Sequence, residues 1–301
     1  MSTALARATG IAIARRAIRQ LCEAIGLPPI VAARPGAVGL LAPPALLRAA
    51  DGWVHPGPPT AWESFDVMVA SLGGDLSTLA AETIDAEAGA WGLPAVAVRS
   101  APAAAPRVQW PRGSTRVDGA QVVVLGSTWA APLAGLALAM LGAEVVRVTH
   151  PARPDPFPLR DELLRGQREV ALDLDQAVDR DEFVGLLDRA QLLVDGTTPR
   201  VLANIGIADP PLSTVRVAAF ADGDRPGYGI AAECRGGWAA RYDPPRVGRV
   251  SVADPVAGLL AALAAVGVLL SGHERARERV SLEGAVGHLF AVERAMRVAG
   301  A

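Results

Sequence analysis

Apolar and polar positions follow two different rhythms along this chain, and the change falls near residue 118. Residues 5–25 carry apolar positions at helical spacing, and Pro28 and Pro29 stop that helix. Residues 62–72 and 76–91 repeat the helical spacing, the second with Asp75 in place to cap it. Residues 93–98 (LPAVAV) predict a short strand. The spacing thus predicts a mainly helical N-terminal region over residues 1–100. A linker follows over residues 101–117, where prolines and small residues erase the periodicity.

Residues 118–301 read as a separate α/β domain. Residues 121–125 (QVVVL) form a strand-type run, and residues 126–131 predict a loop. Pro132 suits the first turn of a helix over 133–141, which Gly142 ends. Residues 144–148 (EVVRV) supply the next strand, giving a βαβ unit with a parallel pair. The alternation continues with strands at 169–174, 191–194 and 215–220 and helices at 180–189 and 200–205. A helix at 256–270, a strand at 279–282 and a helix at 285–298 complete it. Repeated βα units predict an open, mostly parallel sheet with helices on both faces.

Composition narrows the classes. Basic residues number 29 against 31 acidic, a net charge of −2, which offers no basic excess for nucleic acid. Every basic residue is Arg, so a Walker-type lysine and a Schiff-base lysine are excluded. Two cysteines, Cys22 and Cys234, cannot build a disulfide framework. No helical pair of histidines exists for a metal, and none is expected. The apolar run 256–270 falls short of a bilayer span, and no secretory signal opens the chain. A soluble, cytoplasmic protein is expected.

The loop after the first strand of the α/β domain sits where such folds bind phosphates, at a helix start. The dinucleotide glycine fingerprint is absent, since Gly126 stands alone. No acid ends the second strand, which reads Arg147, Val148, Thr149, His150. An NAD(P)-binding oxidoreductase is therefore the weakest of the alternatives. The string Gly227-Tyr228-Gly229-Ile230-Ala231-Ala232 fits G-x-G-x-x-A by letters but does not leave a strand directly.

Four stretches in order resemble the family III CoA-transferases, the group of formyl-CoA transferase, carnitine CoA-transferase and alpha-methylacyl-CoA racemase. Ala130-Ala131-Pro132 and Leu141-Gly142-Ala143-Glu144-Val145-Val146-Arg147-Val148 resemble the family's Ala-Gly-Pro turn and its Leu-Gly-Ala-Glu-Val string. Arg165-Gly166-Gln167-Arg168-Glu169-Val170-Ala171-Leu172-Asp173-Leu174 resembles Asn-Arg-Gly-Lys-Arg-Ser-Val-Ala-Leu-Asp-Leu without its first residue. Residues 190–207 (AQLLVDGTTPRVLANIGI) and Asp224-Arg225-Pro226-Gly227-Tyr228 supply the third and fourth. The resemblance implies coenzyme A or an acyl-CoA thioester as ligand and no metal. By residue, Ala130, Ala131 and Pro132 would line the CoA turn, and Arg165 and Arg168 would approach the phosphates, which guanidinium forks suit.

The departures are as informative. The family's nucleophile is an Asp directly after Arg-Pro-Gly-Tyr, and here that position is Gly229. Ser127 and Thr198 stand where the family has cations. Glu233 is the substitute carboxylate: on a helix it would share the face of Gly229 about 6 Å further on. Its plainer reading is a solvent-exposed charge, as for Asp222 and Asp224. Trp129 is expected in the core or stacked on an adenine, His150 as a loop residue, and Cys234 as an unreactive thiol. The acids Asp173, Asp175, Asp179, Asp181 and Glu182 read as a solvated helix start.

The order of segments also differs from the family. Asp51-Gly52-Trp53-Val54, Trp62-Glu63-Ser64-Phe65 and Gly92-Leu93-Pro94-Ala95 resemble segments of the family's small domain, which there follows the region that here comes second. A permuted small domain is expected for residues 1–100. Two functional alternatives accompany an active enzyme of transferase or racemase type. One is a non-catalytic CoA-binding protein. The other is a structural partner, as a homodimer or with an active paralogue.

Overall fold

The computed structural model describes residues 46–106, 117–153, 159–248, 251–272 and 275–299. The expected helix at 5–25, with Cys22, and residues 107–116 of the expected linker lie outside them. In chain order the elements are β1 (Leu47–Arg48), β2 (Trp53–His55), α1 (Trp62–Ser71), α2 (Ala81–Ala90) and β3 (Val96–Ala97). Then come β4 (Gln121–Leu125), α3 (Ala130–Met140), β5 (Glu144–Thr149), α4 (Arg160–Leu164), β6 (Gln167–Ala171), α5 (Ala177–Arg189), β7 (Leu192–Asp195), α6 (Pro199–Asn204) and β8 (Ser213–Ala218). The last are α7 (Gly229–Arg235), α8 (Ala253–Ser271), β9 (Arg277–Ser281) and α9 (Leu282–Ala299). They form two compact units, each discontinuous in sequence. The first unit takes residues 1–106, 219–253 and 281–301, and the second takes 107–218 and 254–280.

The second unit is an α/β layer structure around a six-stranded sheet of order β6-β5-β4-β7-β8-β9. The pairs β4–β5, β5–β6, β4–β7 and β7–β8 are all parallel. Parallel strands are covered on both faces, which is why QVVVL and LLVD read as unbroken apolar runs. Val123, Leu125, Val148 and Leu193 pack on one face against Phe183, Leu186 and Leu187 of α5 and Leu202 of α6. The other face carries α3, buried on nearly every side from Ala130 to Leu138, as an apolar helix between two layers must be. Gly258 of α8 lies so near α3 that a Cβ there would stand 2.7 Å from the carbonyl oxygen of Ala130.

The helix α8 is longer than its 15-residue apolar core because Ala253, Asp254 and Pro255 open it. At 19 residues it is long and apolar enough to cross a membrane by length and composition, yet 61% of its most apolar window is buried in the protein. A buried core helix has the same composition.

The first unit carries a three-stranded antiparallel sheet, β1-β2-β3, under α1 and α2. Its core gathers Val54, Phe65, Met68, Ile84, Ala88 and Ala95. The helix expected over 76–91 is interrupted. Asp75 Oδ1 accepts from the Ser77 N–H at 2.9 Å and caps only a 3-10 turn, Leu76–Thr78. The longer helix α2 begins at Ala81, whose N–H donates to Asp51 Oδ1 at 2.8 Å from thirty positions earlier.

Candidate functional site

In the second unit the strand order reverses between β4 and β7. Open α/β sheets bind ligands at such a switch point, outside the carboxyl ends of the strands. Two turns meet there. Gly126, at φ +144°, leaves β4, and Gly196 leaves β7 with its N–H donating to the Leu125 carbonyl at 2.7 Å. A Cβ on Gly196 would lie 2.7 Å from the Cβ of Ala131, so only glycine admits the start of α3 here. Thr128 takes a left-handed φ of 68°, which places the chain to enter α3 at Ala130. Ala130, Ala131 and Pro132 are all buried, as is Trp129. Ser127 is exposed and Thr198 half-buried beside this turn.

Below the β7 turn sits a pair that sequence reading missed. Asp195 is fully buried, and its Oδ1 accepts from the Thr197 N–H at 2.9 Å and hydroxyl at 2.7 Å. Its register partner on β8 is Arg216, with Nη1 at 3.1 Å from Asp195 Oδ2 and Nη2 donating to the Thr197 carbonyl at 3.0 Å. Burial pushes the Asp195 carboxyl above its ordinary range, while Thr197 and Arg216 pull it back. A charged residue inside the apolar run of β8 was the available signal.

Arg165 and Arg168 are exposed. Arg168 pairs in register with Val146, near the amino ends of β5 and β6. It points to the α5 face, because Val146 packs there and partners in a sheet share a face. Its neighbour Gln167 points the other way and donates to the Pro132 carbonyl at 3.2 Å. Arg165 sits at the far end of α3, its Nε donating to the Glu162 carbonyl at 3.3 Å. His150, at the carboxyl end of β5, accepts from the Ala152 N–H at Nδ1, 3.0 Å, and lies 3.4 Å from Asp173 through Nε2. That use of both nitrogens anchors a loop.

In the first unit the segment from Phe220 to Gly229 is held by charge. Arg225 donates to the carbonyl oxygen of Asp85 at 2.7 Å and to its carboxylate, and its guanidinium lies 4.7 Å from the Phe220 ring centre. Asp85 also faces Arg235 at 3.6 Å and Arg99 at 3.5 Å. Asp222 forms a two-oxygen pair with Arg235, which lowers its carboxyl from the usual range. Glu283 Oε2 accepts from the Ala221 N–H at 3.0 Å. A cleft of about 370 Å³ opens among Asp85, Arg99, Asp222, Arg225 and Arg235. Asp85 was legible only as a polar residue on the buried stripe of Ala81, Ile84 and Ala88.

Gly229 is buried at the first position of α7, after the exposed Tyr228. Glu233 is not the solvated charge that its plainer reading expected: it is 2% exposed. Its Oε1 accepts from the N–H groups of Val252, at 2.5 Å, and Ala253, at 3.4 Å, the residues that open α8. A carboxylate there satisfies unpaired donors and meets the positive end of the helix. Cys234 is fully buried, and burial followed by the charge of Glu233 raises its thiol, which leaves it unreactive. Among the described residues no cluster of His, Cys, Asp and Glu could hold a metal ion.

The profile of the family described as CoA-transferase family III matches residues 117–280. The succinyl-CoA–D-citramalate CoA-transferase of Chloroflexus aurantiacus is 27% identical over 192 residues, which cover 54% of this chain and 46% of that protein. A probable fatty acyl-CoA transferase of Mycobacterium tuberculosis is 28% identical over 153 residues, covering 43% and 39%. Its crystal structure superposes with a TM-score of 0.52 at 22% identity, over 62% of this chain and 59% of that one. A CAIB/BAIF family protein from Brucella suis gives 0.51 at 21% identity, over 62% and 58%. These structures share the fold. The chain spans about half the length, or less, of the curated relatives it matches.

Proposed function

Starting from CoA-transferase family III, to which this chain belongs, we propose that the protein binds CoA thioesters at the carboxyl ends of β4, β5 and β7 and lacks the family's covalent route. The switch point and the close-packed turns of Gly126 and Gly196 support the binding half of this reading. Both curated relatives are named for acyl-CoA chemistry. The shared thioester is carried over here, and neither the succinyl nor the fatty acyl group is. Ala130, Ala131 and Pro132 are the turn that CoA would meet. Arg165 and Arg168, at the other end of α3, are left out of the site.

The observation that carries the second half is Gly229 together with the engagement of Glu233. In the route the family resemblance implies, a carboxylate oxygen attacks the thioester carbonyl. The C–S bond breaks, CoA leaves as thiolate, and an acyl anhydride forms. Glycine offers no oxygen for that attack. Loss of a nucleophile costs on the order of 10⁶-fold in turnover in other enzymes, about 8 kcal/mol of barrier. Glu233 is spent on the backbone of Val252 and Ala253, where its lone pairs serve the fold. The protein therefore acts as a CoA-binding member of the family, in the cytoplasm, alone or beside an active paralogue. Residues 1–100 are its rearranged small domain, a reading supported by the shared core of Val54, Phe65 and Ala95 from the three resembling segments.

Two measurements test this. Calorimetric titration with CoA and acetyl-CoA is expected to give saturable heat. Hydroxylamine trapping during acetyl-CoA incubation is expected to label no residue. Absence of heat overturns the binding, and a hydroxamate at Glu233 overturns the closed route.

A further inference from the structure

A second cleft, of about 390 Å³, opens at the opposite end of the second unit's sheet, beside the amino ends of β4, β5 and β6. Its floor is apolar: Val123 and Leu186 are buried, and Val146 packs on the same cluster. Its rim carries Arg168, Arg189 and Glu144, all exposed. Among the described residues the side chains of these three make no hydrogen bond or ion pair, although every arginine of the first unit's cleft makes several. Register explains how the groups meet. Val123 and Val146 are partners across β4 and β5, Arg168 is the partner of Val146 on β6, and all point to the α5 face. Arg189 closes α5 on that face.

Each arginine alone has a structural use. Arg189 complements the negative end of α5, and Arg168 places a charge on an edge strand. Neither use accounts for two unpaired guanidinium groups on one apolar-floored cleft. Two cations against one carboxylate leave a local charge of +1, which suits a monoanion better than a phosphate dianion. A guanidinium fork matches a planar carboxylate, and the valine and leucine floor matches an apolar body. A cleft of this size falls in the range of small-molecule sites.

We propose that this cleft binds a small apolar monocarboxylate, its carboxylate between Arg168 and Arg189 and its apolar body on Val123, Val146 and Leu186. The site is separate from the switch point and does not depend on the CoA reading. The test titrates the full chain with benzoate, followed by chemical-shift changes at the valine and leucine methyl groups, and with phenyl phosphate as the dianionic arm. Benzoate is expected to bind with a Kd of about 1 mM or tighter and more tightly than phenyl phosphate. R168A and R189A are expected to weaken benzoate about tenfold each. E144Q, which removes the like charge, is expected to strengthen it. CoA affinity is expected to stay unchanged in all three variants. No saturable shift with benzoate overturns the proposal, as does tighter binding of phenyl phosphate. So does weaker benzoate binding in E144Q. A parallel loss of CoA affinity in R168A also overturns it, because the arginine then belongs to the CoA site.

Discussion

Val124, Leu193 and Val215 on the strands of the second unit are completely buried, and apolar contact on both faces is what fixes the turns at their ends. The first unit reaches a comparable fixity for the Phe220–Gly229 segment by other means. Three arginines converge on Asp85, and a backbone N–H of the segment is taken up by Glu283. A loop that belongs to no sheet has no ladder to hold it, so side-chain charge substitutes. The two units also differ in what they keep of the family. The second keeps its strands and glycines. The first, on the reading proposed above, presents Gly229 where the family's nucleophile would stand.

The largest expected effect tests that reading directly. Gly229 opens a helix, where a carboxylate is favoured, and its φ is not left-handed, so aspartate fits the backbone. G229D is expected to gain acyl transfer from acetyl-CoA and a hydroxamate at that position, with a gain of about 10⁶-fold as the ceiling. A variant that binds acetyl-CoA and forms no adduct would show that more than the nucleophile has gone. The comparison would then fail on the side of the first unit.

Next come two substitutions that weigh charge against apolar burial. D85N leaves buried guanidinium groups without their carboxylate, and loss of one partner of a buried ion network costs about 3–5 kcal/mol. L193A removes a fully buried side chain at a cost of about 3 kcal/mol. Urea unfolding at neutral pH measures both. If D85N costs less than about 1 kcal/mol, the arginines are held by their stacking on Phe220, and charge is not what fixes the segment.

Much of the second unit was readable before any coordinates. Its central strands β4 and β7 are apolar runs buried on both faces, and the first helix ends at a recognisable signal, Gly142. The helix α4 was missed because five residues give no period. In the first unit β1 and β2 were missed for the same reason, at two and three residues. The site was less legible than the fold. Gly229 was singled out only because the family resemblance sets an expectation for its position. The role of Glu233 was not, since nothing in the sequence links it to the backbone of Val252. Arg225 and Asp85 lie 140 positions apart, and no local pattern reports such a pair. Arg168 was placed near the CoA phosphates by the family resemblance alone, and its side of the sheet, opposite to α3, follows only from the strand register with Val146.

The smallest expected effect is a pH dependence confined to the first unit. His55 on β2 is 4% exposed, and its Nδ1 accepts from the Gly57 N–H at 3.0 Å. Burial lowers its pKa to about 4, against about 6.5 for the unfolded chain. Between those values the unfolded state binds the extra proton, so stability falls as pH falls. The loss attributable to His55 is about 2 kcal/mol at pH 5 relative to pH 7, before most carboxylates titrate. H55N keeps an acceptor for the Gly57 N–H and removes the titrating ring. Urea unfolding of both proteins at pH 7 and pH 5 is expected to show the smaller loss in H55N. Equal losses would mean that the imidazole reaches water as readily in the folded chain as in the unfolded one. The first unit would then lack the dry interior that its ion pairs around Asp85 also require.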